Sequence, residues 1–265
     1  MRLIKKAVEI GNGAAVYVPK EYLGMEIVVT LPDSLEDIKK RVLSNLLGFM
    51  PNILGVYLYG SYARHEQEIG SDVDILVVTK EKDANVKNAL GDIDARIVPL
   101  NELKKTIQNY PVLIMPILNE AQVLLNPVLL DELKNSKIDF RKFNWNFEEI
   151  KSLIKIAEEF IELDDEDLPS SFVYSLMMRI RVCYLIECLL KNKPFSNKGV
   201  RKLLLNYGLK EKDAGRFFYI YRLVREDEAP KINVKKEEVL GLLKILNKYV
   251  KKIEDETKKK ISKGN

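Results

Sequence analysis

One histidine, two cysteines and one tryptophan in 265 residues leave several kinds of chemistry without the side chains they need. Structural and catalytic zinc sites draw on three or four Cys and His ligands, and His65, Cys183 and Cys188 cannot furnish such a set. His65 has no partner within its own stretch that would make it a general base, and it reads as an exposed or helix-capping residue. No Arg-x₄₋₆-His ribonuclease pattern can be written around it. Cys183 and Cys188 stand five apart in a helix-like segment, which argues against a disulfide framework and suits a reducing compartment. Long apolar runs are missing too: nothing approaches the ~18 to 20 residues of a membrane span. Met1-Arg2-Leu3-Ile4-Lys5-Lys6-Ala7 does not build a cleavable hydrophobic core, so a cytoplasmic protein is expected. Charge of one sign is also scarce. With 43 basic and 39 acidic residues the net charge is +4, which neither requires nor excludes a nucleic acid partner. The 46% apolar and 31% charged fractions are those of an ordinary globular protein long enough for two cores.

What is present concentrates in Gly55 to Val78, GVYLYGSYARHEQEIGSDVDILVV. Ile53 to Tyr59 is β-branched and aromatic enough for a buried strand, and Gly60-Ser61 breaks it with small residues that leave backbone N–H groups free. Tyr62 to Glu68 has a helix-compatible composition, and the start of such a helix offers unpaired N–H groups and a favourable dipole to a phosphate. Arg64 either adds positive charge on the phosphate side or pairs with a neighbouring acid. Asp72 and Asp74 bracket Val73 ahead of Ile75 to Val78. On a strand, residues two apart share a face and lie about 6.6 Å apart. Both carboxylates therefore look one way, and Leu76 and Val78 continue that face as core. Two anions held together repel unless a proton or a cation joins them, and oxygen ligands suit Mg²⁺. A third acid is available on the next strand candidate, Asp92 to Val98. Asp94 lies inside that run, and Asp92 at its mouth is the alternative.

These residues resemble the polymerase-beta-like nucleotidyltransferase superfamily, whose signature is a strand ending in Gly-Ser, a short helix, an Asp-x-Asp strand and a further acid on a following strand. Gly60-Ser61-Tyr62-Ala63-Arg64 matches the first block and Ser71-Asp72-Val73-Asp74-Ile75 the second, over roughly Leu35 to Leu130. His65 departs from the glycine usual at that place. The resemblance implies transfer of a nucleoside monophosphate from ATP or another NTP to a hydroxyl, with release of pyrophosphate. Asp72, Asp74 and Asp94 would be catalytic and would hold Mg²⁺ or Mn²⁺; Gly60, Ser61, Arg64 and Ser71 would hold the nucleotide. The acceptor is open among a protein side chain, a small molecule and a tRNA end.

The expected class is α+β: a small mixed sheet with helices on one side, an N-terminal β-hairpin unit and a C-terminal helical bundle. Residues 1–33 read as a hairpin around Gly11-Asn12-Gly13, one helical turn from Pro19 to Gly24, and a third strand from Met25 to Leu31. Gly13 to Lys20 loosely resembles small swapped-hairpin DNA-binding modules that dimerise; the alternative is an extension that packs on the core or joins two copies. Residues 34–134 form the catalytic domain, opened by a helix from Ser34 to Met50 with Ile38, Val42, Leu46 and Leu47 as its apolar stripe. Residues 146–261 read as about five helices, the one from Ser170 to Lys191 being central. Arg216, Tyr219, Tyr221, Arg222 and Arg225 share a helix and either line the cleft or divide between core and solvated face. The competing functional reading is a DNA-binding regulator or an antitoxin-like partner-binding protein with a nucleotide-binding core.

Overall fold

A computed structural model describes residues 5, 7–29, 33–67, 71–163, 167–225 and 232–264. It divides into two compact units, Met1–Leu35 and Glu36–Asn265.

In the first unit β1 (Val8–Ile10) and β2 (Gly13–Ala15) pair antiparallel, with Val8 opposite Ala15 and Ile10 opposite Gly13. Gly11 supplies the left-handed turn at φ 54°. A single 3₁₀ turn, Lys20–Tyr22, follows Pro19 as expected. The expected third strand does not form over Met25 to Val29, since a strand needs a partner ladder and none meets it among the described residues; residues 30–32 lie outside them. None of the described residues from 5 to 29 is buried.

Helix α1 (Leu35–Asn45) is shorter than the expected Ser34 to Met50. Gly48 and Pro51 disfavour an α-helix, and a 3₁₀ stretch, Leu47–Asn52, replaces its end. Ile38, Val42 and Leu46 are buried as expected, but the change of geometry leaves Leu47 66% exposed and outside the stripe. The chain then runs through β3 (Ile53–Tyr59), α2 (Gly60–Ala63), β4 (Asp74–Thr79), α3 (Asn85–Leu90) and β5 (Asp94–Pro99). After these come α4 (Leu100–Asn109), α5 (Pro111–Glu120), β6 (Gln122–Leu125) and α6 (Pro127–Lys134). The sheet order is β5-β4-β3-β6, with β4 and β5 parallel and the other pairs antiparallel.

Strand alternation sorts this sheet into two cores. Ile75 and Val77 join Val56 and Leu58 under α1 and α3. Leu76 and Val78 join Tyr57 and Tyr59 on the opposite face, in a larger cluster that continues into the C-terminal helices. The small mixed sheet is as expected, and helices cover both of its faces. The bundle comprises α7 (Asn144–Leu163), α8 (Ser170–Leu190), α9 (Asn197–Asn206), α10 (Glu211–Arg225) and α11 (Lys236–Ser262). Helix α8 is its centre: Val173, Leu176, Met177, Ile180, Cys183 and Ile186 are buried, and α5, α10 and α11 pack on it. Cys183 and Cys188 are both buried free thiols. No helix among the described residues is long and apolar enough to cross a membrane.

Candidate active site

The register of three strands builds the site. Tyr59, the last residue of β3, lies opposite Asp74, the first of β4, and Asp74 lies opposite Asp94, the first of β5. Neighbouring strands are about 4.8 Å apart, and residues level across a sheet share a face, so the two carboxylates stand side by side at one end of the sheet. Their face is the one that Leu76 and Val78 continue into the larger core. Asp72 lies two residues ahead of β4 and is exposed, as is Asp94, whereas Asp74 is half-buried. Asp92 sits in the turn before β5.

Repulsion among these acids leaves a mark on Asp74. Burial, then the charges of Asp94 and Asp72, push its carboxyl up to about 6, against the pull of Arg225 and Arg64. Tyr59 is pushed up to about 12, first by burial and then by the two aspartates, with Arg96 acting in the other direction. Such a donor set fits a hard divalent cation: the ligands are carboxylate oxygens, and a bound cation would relieve the repulsion that holds Asp74 up. Among the described residues no three His, Cys, Asp or Glu side chains already stand at ion-holding spacing.

Gly60 follows Tyr59 at φ 77°, and a Cβ on it would lie 1.9 Å from Asp74 Oδ2. Glycine is therefore required twice, by the left-handed backbone and by the close carboxylate. Helix α2 then runs only to Ala63, because His65 takes a left-handed φ of 55°; the expected helix to Glu68 is cut short, and residue 68 is outside the described ones. Ser61 is half-buried in that single turn, and Ser71 is half-buried just ahead of Asp72.

The free N–H expected at Gly60 has a partner. Glu120, the last residue of α5, accepts it at 2.8 Å through Oε1, and through Oε2 accepts Arg64 Nη1 at 2.7 Å. Arg64 Nε donates to Glu66 Oε2 at 3.1 Å, so the pairing of Arg64 with a neighbouring acid is realised. The same Glu66 oxygen accepts the backbone N–H of Asn197 at 3.3 Å, which ties the turn to the start of α9. Gln122 Nε2 donates to Ala63 O at 2.7 Å.

Helices α8 and α10 add two more guanidinium groups. Arg181 lies over the rings of Phe195 and Tyr221, 5.1 Å from each centroid, and donates to Asn197 Oδ1. Burial, together with Arg64 and Arg225 and against the opposing effect of Tyr221, lowers its pKa. Of the residues singled out on α10, Arg225 acts on Asp74, drawing its pKa down. Tyr221 packs under Arg181 and stacks on Tyr174, Arg216 pairs with Glu238, and Tyr219 is half-exposed with Arg222 over its ring. Glu120, Glu66 and Arg181 were not singled out from the sequence. Glu120 is 60 residues from Gly60 and ends an apolar helix, so no local spacing joins them.

Residues 36–128 match the family described as "Polymerase beta, Nucleotidyltransferase". No curated protein matches the chain. Among solved structures it is similar to the spectinomycin adenyltransferase AAD(9) from Enterococcus faecialis, crystallised with ATP and spectinomycin. That likeness has 16% identity and a TM-score of 0.43, and covers 83% of this chain and 100% of the other. It is also similar to a nucleotidyltransferase-like protein from Exiguobacterium sibiricum, at 11% identity and a TM-score of 0.36, over 84% of this chain and 78% of that one.

Proposed function

We propose that this protein is a metal-dependent enzyme that moves a nucleoside monophosphate from a nucleoside triphosphate, ATP by choice, onto a hydroxyl, releasing pyrophosphate. The observation that carries the reading is the register that sets Asp74 beside Asp94, next to the Gly60-Ser61 turn, inside the stretch that matches the nucleotidyltransferase family. Asp72, Asp74 and Asp94 would hold Mg²⁺ or Mn²⁺. When bound, the cation would draw negative charge from the triphosphate and lower the pKa of the attacking hydroxyl.

The chain's own groups divide the remaining work. The acceptor oxygen attacks the α-phosphorus, the bond from that phosphorus to the bridging oxygen of the β-phosphate breaks, and pyrophosphate leaves with the bond's electrons. Asp94 is exposed at the edge of the sheet, where an acceptor can approach, and serves as the base that takes the hydroxyl proton. Ser61 and Ser71 donate hydroxyl hydrogen bonds to the triphosphate, and Arg64 sets a positive charge beside it. Arg225 extends that positive field from α10.

Incubation with nucleotides labelled at the α-phosphate, a divalent cation and cell lysate tests the reading, with the products separated into protein, RNA and small-molecule fractions. Label should move into one fraction in the wild type and in none for Asp74→Asn. Transfer by Asp74→Asn at the wild-type rate would overturn the assignment.

The N-terminal unit supports a second, compatible proposal. None of its described residues is buried, and Tyr17, Leu23 and Val28 are exposed apolar side chains. So small a unit needs a partner surface to be stable, and we assign that surface to a second copy of the same unit.

A further inference from the structure

Arg64, the cation assigned to the triphosphate, is enclosed on several sides although it stands in a short turn. Glu120 holds Nη1, Glu66 holds Nε, and the ring of Phe195 lies 5.6 Å below the guanidinium. The side chains of Arg64, Glu66 and Glu120 are 16%, 12% and 10% exposed. An exposed ion pair contributes little, whereas a charge this sheltered is sensitive to losing its partner.

Glu120 differs from Glu66 in gripping a second group. Its other oxygen takes the Gly60 N–H, and the Gly60 backbone is what Asp74 leans against. A single carboxylate thereby holds both the Arg64 cation and the Gly60 backbone that abuts Asp74. Helix α5 makes that carboxylate steady: it packs against both α2 and α8, and Val112, Ile114, Met115 and Leu118 bury its length.

We infer that Glu120 is a positioning residue of this site, fixing the Arg64 guanidinium and the Gly60 turn relative to Asp74 so that cation and acids face one bound triphosphate. It touches neither nucleotide nor acceptor and acts through Arg64. This inference rests on the nucleotidyltransferase reading and adds a role to it.

The two alternatives predict opposite signs. If Glu120 merely competed with phosphate for Arg64, removing its charge would free that guanidinium and strengthen nucleotide binding. If it positions them, the Arg64 side chain loses its direction and binding weakens. Glu120→Gln separates these, because the amide oxygen still accepts the Gly60 N–H while the charge opposite Arg64 is gone.

The experiment is calorimetric binding of α,β-methylene-ATP with Mg²⁺ to the full chain. It covers the wild type, Glu120→Gln, Arg64→Gln and the double variant, each checked for a wild-type melting curve. We expect each single variant to bind about tenfold more weakly, the loss of one charge-assisted hydrogen bond. The double variant should be no weaker than Arg64→Gln, because residues acting as a unit are not additive. Should Glu120→Gln fail to keep a wild-type melt, Glu120→Asp, which keeps the charge, takes its place and must recover part of the affinity. Equal or tighter binding by Glu120→Gln, no recovery by Glu120→Asp, or losses that add in the double variant, overturns the inference. A wild type that binds no nucleotide overturns the nucleotidyltransferase reading, and this inference with it.

Discussion

At the scale of single residues, Asp74 carries the sharpest expectation. Its folded-state pKa, about 6, lies above the ordinary 3.8, so the fold favours the neutral form. The stabilisation from that preference is fully present below about pH 4 and is lost as pH rises through about 6. In metal-free buffer at pH 7.5, Asp74→Asn should therefore melt higher than the wild type, and at pH 4 the two should converge. Comparing the pair cancels other groups such as Glu187 and Glu254, whose lowered pKa values act in the opposite direction. Full burial would make the difference about 3 kcal/mol. Half-burial and solvent screening reduce it to about 1 kcal/mol. Saturating Mg²⁺ should raise the wild-type melt at pH 7.5 and leave that of Asp74→Asn nearly unchanged. Equal melting curves for the two proteins across this range would contradict the assignment. Gly60→Ala is the second residue-scale test. Its Cβ meets Asp74 Oδ2 in a left-handed backbone, so we expect a loss of at least ~1 kcal/mol in denaturant unfolding together with loss of nucleotide transfer.

At the scale of elements, the start of α9 matters because its first backbone N–H joins the site through Glu66. Ser196 caps this helix by accepting the Gly199 N–H at 3.0 Å. Ser196→Ala should cost about 1 kcal/mol of stability. It should also weaken nucleotide binding without altering any group assigned to the nucleotide; urea unfolding and calorimetry check the two halves. Elements were also where the sequence was most readable. Strand β3, β4 and the Gly-Ser turn stood out because β-branched runs bounded by small and acidic residues have few other uses. The apolar residues of the Ser170 to Lys191 segment marked a central helix. Less legible was anything decided by a partner strand or a local φ. Met25 to Val29 has strand-like composition but meets no partner strand among the described residues. Tyr62 to Glu68 has helix-compatible composition, but the left-handed backbone at His65 stops α2 at Ala63. Of the site, the acids could be read from two-residue spacing. The level pairing of Asp74 with Asp94 needed the register, and Glu120 needed the packing of an apolar helix 60 residues away.

At the scale of the whole chain, the division at Leu35 suggests a clean separation of roles. A chain lacking residues 1–34 should keep the melting behaviour of the second unit and its nucleotide binding, while losing self-association. Sedimentation equilibrium should show a dimer for the full chain and a monomer for the truncated one. A truncated chain that remains dimeric would move the interface to the second unit. The shared core explains why no similar cut is expected further along: Leu76 and Val78 of the sheet belong to the same buried cluster as α8 and α11, so sheet and bundle should unfold together in one transition.

The parallel pairing of β4 with β5 has a consequence for how errors in folding would show themselves. Because neighbouring residues on a strand point to opposite faces, sliding β5 by one position would carry Asp94 through to the side of α1 and α3 and bring its neighbour into the row beside Asp74. Chains trapped in that state would retain their helices and much of their sheet yet have no proton acceptor beside Asp74. Activity per molecule thus doubles as a gauge of strand alignment, one that circular dichroism would miss.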